Sequence, residues 1–461
     1  MKIIIVGCGK VGYAIAKDLS MEEGTDIIII DADQNALDKA VESIDAMLIK
    51  GNGLNFDILS EAEAKNADLL ISVTNQDEAN ILCCISAKRL GTKHTVARVR
   101  NPEYKKDLDK FWNDLGVDML INPEQETARE ISRLLRFPAA DDIDTFVGGR
   151  VELVSFKVSD ALHIFEIKSV FQIFNKKRFN ILLAMIEREN AVFIPHGEAV
   201  FEKRDIIHVL GRPSHIMDFF ETIGANTDKV RNAVIIGGGI ITYYLVELLH
   251  RHSSSTNIKI IDIDRKKCEE LSEAFPRCDV IHGDGTDENL LLSEIADYAE
   301  AVVCLTDRDE ENTVIALYSM QHKKRKIIVK INHISKTMVK NLRLGSIVSP
   351  GNITSEQISR YVRRLSAEAV ESTNSIAAVH KMFGDGENTV EAVELTINSK
   401  YRCLDIQIKN LKLKKDVLVG CIIRNANIII PSGDSVIELG DRVIIIAKNE
   451  KISDLDDILA N

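Results

Sequence analysis

The chain states its plan twice, and no other feature constrains its fold as much. A second half that repeats the first must build one set of cores and then build it again. The segment KIIIVGCGKVGYAIAKDL, from Lys2, returns as NAVIIGGGIITYYLVELL, from Asn232, with Gly7 and Gly237 standing 230 positions apart. LLISVTNQDEANILCCISAK, from Leu69, returns as AVVCLTDRDEENTVIALYSM, from Ala301, so that Thr74, Asp77 and Asn80 recur as Thr306, Asp309 and Asn312, each 232 positions on. Behind this lies a second repeated module. NILLAMIERENAVFIPHGEAVFEKRDIIHVLG, from Asn180, parallels DVLVGCIIRNANIIIPSGDSVIELGDRVIIIA, from Asp416, which sets Arg188 on Arg424, Pro195 on Pro431 and Gly197 on Gly433 at an offset of 236. The order is A, B, A′, B′.

Within A, the apolar runs IIIVG, DIIIID, AMLIKG, DLLISVT and HTVARV alternate with stretches of helical period. Continuous apolar strands separated by helices predict a parallel sheet covered on both faces, a doubly wound α/β domain of Rossmann type. B reads differently: VELVSFKV, NILLAMIER, NAVFIP and DIIHVLG are separated by polar turns and followed by a helical SHIMDFFETIG. These predict small α+β domains of roughly eighty residues, near the lower range of independent stability. Between A and B, NPEQETAREISRLLRF (Asn122 to Phe137) predicts a connecting helix, and the PAADDID after it a hinge; the counterpart is SPGNITSEQISRYVRRL, from Ser349. The expected domains are residues 1–137, 138–228, 229–366 and 367–461.

With 58 Lys and Arg against 70 Asp and Glu, the net charge of −12 repels a polyanionic backbone and argues against nucleic acid as the main partner. The eight cysteines are scattered without a CxxC pair, which suits small buried hydrophobes in a reducing compartment. The apolar run before Gly7 is too short for a signal-peptide core, and no run of about 18 apolar residues occurs. The expectation is a cytoplasmic protein whose connection to a membrane, if any, runs through a partner.

Gly7-Cys8-Gly9-Lys10-Val11-Gly12 fits G-x-G-x-x-G between an expected strand and an expected helix. Gly7 permits the tight turn, Gly9 lets the backbone approach a pyrophosphate, and Gly12 lets the helix pack closely, while amides at the helix start favour an anion. Asp31, at the end of the second strand, stands 24 positions on, where an acid bonds the ribose hydroxyls of an adenosine; its charge favours NAD or an adenine mononucleotide over NADP. In the second copy, Gly237-Gly238-Gly239-Ile240-Ile241 is followed by Thr242 in place of the third glycine, and Asp262 supplies the acid. Thr242 is expected to loosen the helix packing or narrow the cradle. Gly51-Asn52-Gly53 and Gly283-Asp284-Gly285 either line an adenine pocket or simply turn. Val73-Thr74 and Thr306 end the fourth strands, and Arg98 and Lys330 end the fifth, where a planar guanidinium and a point charge would meet phosphate differently.

A dehydrogenase needs an acid or base beside the nicotinamide. His196 is the best candidate, yet its duplicate is Ser432, and local hydrogen bonding is the simpler role. Cys83-Cys84 sits in an apolar helical stretch suited to packing, and the basic run from His322 to Lys326 suits a solvated helix end. The reading is a binding protein and not an enzyme, with an NAD-dependent oxidoreductase as the alternative.

A chain of order A-B-A′-B′ carrying IIIVGCGKVG, TNQDEAN, VARVRNPEY and PHGEA, with IIGGG, GDGTDENLL and TDRDEEN as their repeats, resembles the TrkA family over essentially its whole length. That family comprises the peripheral regulatory subunits of Trk potassium-uptake systems. The A units are similar to RCK (KTN) N-terminal domains and the B units to RCK C-terminal domains. The resemblance implies nucleotide bound in the A domains, as NAD or NADH, with ATP, ADP or AMP as alternatives. It also implies a homotetrameric cytosolic ring beneath a transmembrane potassium-translocating subunit. Gly7, Gly9, Val11, Asp31, Thr74 and Arg98 match the family's first site; Gly237, Gly239, Asp262, Thr306 and Lys330 match the second, with Thr242 the departure. A nucleotide would then act by rearranging the ring through hinges near Pro138 and Pro350, and the remaining alternative is an RCK regulator of another cation channel or antiporter.

Overall fold

The computed structural model describes residues 1–21, 24–101, 109–158, 179–189, 191–195, 198–225, 230–252, 256–296, 298–322, 326–332, 344–369, 375–383, 389–425, 427–450, 452 and 454–460. Strands β1 (Lys2–Val6), β2 (Asp26–Asp31), β3 (Met47–Lys50), β4 (Leu69–Ser72), β5 (His94–Arg98) and β6 (Met119–Ile121) alternate with helices α1 (Lys10–Leu19), α2 (Gln34–Val41), α3 (Phe56–Glu61), α4 (Asp77–Leu90) and α5 (Asp109–Leu115), and α6 (Pro123–Arg136) follows. The strands are parallel and lie in the order β3-β2-β1-β4-β5-β6. That order reverses between β1 and β4, where a doubly wound sheet opens a crevice at its carboxyl edge. Ile3, Ile4 and Ile5 are consecutive and all fully buried, as a strand covered on both faces requires. The sixth strand has only the three residues Met119–Ile121 and no periodicity by which to announce itself.

The next module has β7 (Asp142–Phe146), β8 (Val151–Lys157), β9 (Ile181–Arg188), β10 (Ala191–Phe193) and β11 (Ile206–Gly211), closed by α7 (Pro213–Thr222). Its sheet is antiparallel, in the order β10-β9-β11-β8-β7. The expected hinge is therefore shorter than PAADDID, because Asp142–Phe146 is an edge strand paired to β8. Ile143 and Phe146 face the core while Asp142 is exposed, and charge on an edge strand blunts further pairing.

The second copy repeats the parallel sheet with β12 (Asn232–Ile236), β13 (Asn257–Asp262), β14 (Asp279–His282), β15 (Ala301–Cys304), β16 (Lys326–Lys330) and β17 (Ser346–Val348), in the order β14-β13-β12-β15-β16-β17. Its helices are α8 (Ile240–His252), α9 (Arg265–Ala274), α10 (Glu288–Leu291), α11 (Asp309–Gln321) and α12 (Pro350–Ala369). Pro350 is thus the first residue of a helix, where its missing N–H costs nothing, and not a hinge; Pro123 does the same for α6. The last module has β18 (Ser375–Phe383), β19 (Val390–Thr396), β20 (Val417–Arg424), β21 (Asn427–Ile429) and β22 (Arg442–Lys448), antiparallel in the order β18-β19-β22-β20-β21. In place of an α7 equivalent it closes with a 3₁₀ turn, Leu455–Ile458, fixed by a capping box on Asp454.

The chain divides into two compact units: Met1–Ser132 with Arg231–Ser359, and Arg133–Val230 with Arg360–Asn461. Like pairs with like. The first unit holds both parallel sheets and the second both antiparallel ones. Within the second unit, Val151, Leu153 and Leu210 of one copy share a core with Val390, Ile423, Ile444 and Ile446 of the other. Small modules that cannot bury enough apolar surface alone gain a common interior this way. The Arg188 and Arg424 aligned by the repeat have one structural task. Each clamps a buried aspartate with two bonds, Asp205 at 2.9 Å and Asp441 at 2.8 Å, and donates to the carbonyl of Val200 or Val436.

Candidate functional site

Each glycine turn is tied to the acid at the end of the neighbouring strand. Gly7 has φ +100°, in the left-handed region that favours glycine, and its N–H donates to the Ile30 carbonyl at 2.8 Å. Cys8 N–H then donates to Asp31 Oδ2 at 2.5 Å, and Asp33 N–H to Asp31 Oδ1 at 2.8 Å. In the second copy Gly237 has φ +106°, Gly238 N–H donates to Asp262 Oδ2 at 2.5 Å, and Asp264 N–H to Asp262 Oδ1 at 2.7 Å. Each carboxylate oxygen holds one backbone amide and keeps a lone pair for a further donor. An added Cβ at Gly9 or Gly239 would meet nothing within 4 Å, so the backbone there is open to approach. Helix α1 starts without a side-chain cap, leaving its first amides for an anion. These features suit an adenine nucleotide, with phosphates against the turn and ribose against the acid.

The two turns close differently. A Cβ on Gly12 would lie 1.8 Å from the Gly7 carbonyl oxygen, so only glycine fits beneath the first turn. Thr242 occupies the equivalent place fully buried, and its hydroxyl donates to the Gly237 carbonyl. Where a looser helix packing or a narrower cradle is expected, the contacts are substituted: the second turn is stapled by a hydrogen bond and the first is held by close packing. Val11 and Ile241 are buried beneath the two helix starts, while Lys10 and Ile240 face outward.

Val73 and Thr74 adjoin the first turn: an added Cβ on Gly7 would lie 3.0 Å from Thr74 N and 3.1 Å from Val73 C. Thr74 is held by Asn80, whose Oδ1 accepts from Thr74 N–H (2.8 Å), the Thr74 hydroxyl (2.7 Å) and the Ser72 hydroxyl (3.0 Å). Asn80 Nδ2 donates to the carbonyls of Thr74 (3.1 Å) and Arg98 (2.9 Å), pinning the ends of β4 and β5 together. Asn312 repeats the arrangement with Thr306 and the Lys330 carbonyl. The recurrence of Asn80 as Asn312, identical where neighbours differ, is the signal of this task in the sequence, though spacing alone does not reveal the carbonyls they join.

Arg98 and Lys330 reach the same edge and meet different partners. Arg98 is buried in an ion pair with Glu124, and its Nε and Glu124 Oε2 have no hydrogen-bond partner among the described residues. The position of Glu124 is Gly351 in the second copy. Lys330 donates to the Leu305 carbonyl and to Asp307 Oδ1, both at 3.3 Å, and the Asp307 side chain is 93% exposed. Burial pushes the Lys330 ammonium below its ordinary value; Asp307 opposes this and the charge of Lys10 adds to it.

Asn52 and Asp284 cap local turns: Asn52 Oδ1 accepts from Leu54 N–H at 2.9 Å, and Asp284 Oδ1 from the N–H and hydroxyl of Thr286 at 2.8 and 2.7 Å. The Thr286 donors, side chain first, hold the Asp284 carboxyl below its usual range. Both residues are exposed, with lone pairs left over. Among the other candidates, His196 lies outside the described residues, as do Lys323, Lys324 and Arg325. Lys326 departs from a solvated role, since it opens β16 and its buried ammonium donates to Ser346 Oγ at 2.8 Å. Cys83 and Cys84 are buried and donate to the Gly53 and Val96 carbonyls; burial pushes the Cys83 thiol up to about 12, which removes thiolate chemistry. Among the described residues no helix is long and apolar enough to cross a membrane, and no group of three His, Cys, Asp or Glu is placed to hold a metal ion.

A family model described as the TrkA-N domain matches residues 3–123 and again 233–350, and one described as the TrkA-C domain matches residues 392–460. Trk system potassium uptake protein TrkA homolog 1 of Methanosarcina mazei is 31% identical over 466 residues, covering 99% of both chains. Trk system potassium uptake protein TrkA of Halomonas elongata is 29% identical, covering 99% of this chain and 98% of its own. Among solved structures, the GsuK RCK domain aligns with a TM-score of 0.61 at 16% identity, over 97% of this chain and 92% of that one. The GsuK channel bound to NAD aligns with a TM-score of 0.60 at 16% identity, over 97% and 76%. At such identity the structural likeness speaks to the fold.

Proposed function

Because this chain belongs to the TrkA family of Trk potassium-uptake proteins, we propose that it is a nucleotide-sensing regulatory subunit of potassium uptake. It assembles as a tetrameric ring on the cytoplasmic face of a Trk-type membrane transporter and itself performs no chemistry on the nucleotide. The observation that carries this reading is the duplicated turn-and-acid arrangement, Gly7–Gly12 with Asp31 and Gly237–Thr242 with Asp262, each at the carboxyl edge of a doubly wound sheet. Gly9, the amides at the start of α1, Asp31 and the Val73–Thr74 edge would hold one nucleotide; Gly239, the start of α8, Asp262 and Thr306 the other. NAD or NADH is the expected ligand, with ATP, ADP or AMP as alternatives, and it would supply phosphate charge to those edges.

A nucleotide changes the ring only by binding two conformations with different affinity. The deciding experiment combines calorimetric titration of NAD, NADH, ATP and ADP with ring geometry by small-angle scattering, with and without each nucleotide. Binding accompanied by a ligand-specific change of geometry supports the reading; identical geometry with NADH, ATP and no nucleotide overturns it. A substrate-dependent change in NADH absorbance would favour the oxidoreductase alternative, and co-purification with a channel or antiporter outside the Trk systems would move the chain to another cation pathway.

A further inference from the structure

The two parallel-sheet copies touch through different chemistry at equivalent positions. Tyr244 stands where the first copy has Ala14, Asn122 where the second has Ser349, and Glu124 where the second has Gly351. On one side of the junction small residues meet: Ser355 Oγ donates to the Ala14 carbonyl at 3.4 Å, and a Cβ on Gly351 would come within 3.3 Å of Ala14 Cβ. On the other side Tyr244, 2% exposed, reaches from α8 into the first copy. Its hydroxyl donates to the Arg100 carbonyl at 2.5 Å and accepts from Asn122 Nδ2 at 2.9 Å, and Asn122 Nδ2 also lies 3.2 Å from the Arg100 carbonyl. Burial pushes the phenol up to about 12, so it stays a proton donor at physiological pH.

Arg100 belongs to the edge of the first candidate site. Its N–H and that of Asn101 donate to Asp77 Oδ2 at 2.8 and 2.9 Å, its Nε to Asp77 Oδ1 at 3.4 Å, and its Nη2 to the Asn75 carbonyl. Asp77 opens α4 directly after Thr74, Asn75 and Gln76. At the other end, Tyr244 lies two residues after Thr242, whose hydroxyl is bonded to the Gly237 carbonyl of the second turn. The segment Thr74–Asp77 is therefore tied by the hydrogen bonds of Asn75 and Asp77 to Arg100, and the Arg100 carbonyl to Tyr244, while helix α8 carries the path on to the second copy's glycine turn. The mirror-image path stops at Ala14, which has no side-chain hydroxyl to offer.

We propose that Tyr244 is a positioning residue that couples the two nucleotide sites of one chain, transmitting the state of the Thr74–Asp77 edge through the Arg100 carbonyl to the Gly237 turn. The inference rests on the nucleotide-sensing reading of both sites. A ligand that displaces the first edge moves the Arg100 carbonyl, and a buried tyrosine hydroxyl left without its acceptor is costly; α8 must follow or the bond must break. Because equilibrium coupling is reciprocal, a ligand at the second site changes affinity at the first by the same factor.

The test is NADH and ATP titration of the full-length protein by calorimetry. Affinity at the second site is measured with the first filled, in the wild type, and with the first disabled, in Asp31→Ala; the ratio of the two is the coupling factor, expected at about fivefold or more. Tyr244→Phe keeps the ring and removes the hydroxyl, so the factor should fall to one while each site's own affinity, read in the Asp31→Ala and Asp262→Ala backgrounds, changes less than about twofold. A purely structural role would lower thermal stability and leave the factor intact. Asn122→Ala leaves Tyr244 in place and should reduce the factor in part, giving a second readout should Tyr244→Phe fold poorly. A wild-type factor of one, or a factor unmoved by both variants, overturns the coupling and leaves nucleotide sensing standing. Failure of either nucleotide to bind at either site overturns both.

Discussion

The two parallel-sheet copies share a backbone plan and solve the same local problems by opposite means. Beneath the first glycine turn there is no room for a side chain, and beneath the second a buried threonine fills the space and bonds the turn. The first edge holds a buried arginine neutralised by a buried glutamate; the second holds a buried lysine whose acid, Asp307, stands in solvent. A buried pair with good geometry is fixed and expensive to break, whereas a buried cation with an exposed partner is adjustable. Duplication preserved the glycine turn and its acid while the charge beside them diverged, pairing the first cation in the interior and leaving the second with a partner in solvent.

The sharpest break of this contrast is removal of each cation's partner. Glu124→Ala strands a buried guanidinium and should destabilise the first unit by about 3–5 kcal/mol, read by chemical denaturation; Asp307→Ala, which removes an exposed partner, should cost no more than about 1 kcal/mol. Equal effects would dissolve the distinction between the edges. Next come the turns. Gly12→Thr forces a side chain against the Gly7 carbonyl and should cost about 1–3 kcal/mol together with nucleotide binding at the first site. Thr242→Gly loses one hydrogen bond and some helix rigidity, about 1–2 kcal/mol, and retains second-site binding.

Asp31→Ala and Asp262→Ala test what the copies share. Each should weaken binding at its own site about tenfold or more, as loss of a charged acceptor implies, and calorimetric heats equal to wild type in both would remove the acids from the sites. The smallest effect is a pH dependence peculiar to the second copy. Burial lowers the folded-state value of Lys330 below the ordinary 10.5. Between the folded and unfolded values the unfolded chain binds more protons, so stability rises with pH across that window. Relative to Lys330→Met, the wild type should therefore gain stability as pH climbs toward 10.5; a flat difference in thermal midpoints would place the ammonium in an environment like water.

Much of this was legible beforehand. Duplication, alternation of apolar strands with helices, the glycine turns and their acids are patterns of local spacing, and each reappears at the expected residues. What escaped was short, charged or dependent on a distant partner. Met119–Ile121 is too brief to show a period. Asp142–Phe146 reads as an acidic linker until pairing with β8 reveals an edge strand. Pro350 resembles a hinge until α12 is seen to begin there.

By itself the amino-acid sequence determined that this chain would build two doubly wound sheets and two small modules, and where each turn and acid would stand. Those properties follow from covalent geometry and the periods of helix and strand, which act over a few residues. Only the tertiary structure decided that like modules share a unit, that Arg98 would be taken up by Glu124 while Lys330 kept an exposed partner, and that Tyr244 would reach the Arg100 carbonyl. These are meetings of residues far apart in the chain or differing only in burial. Whether a charge or hydroxyl is free for a ligand depends on which partner the packed interior delivers to it.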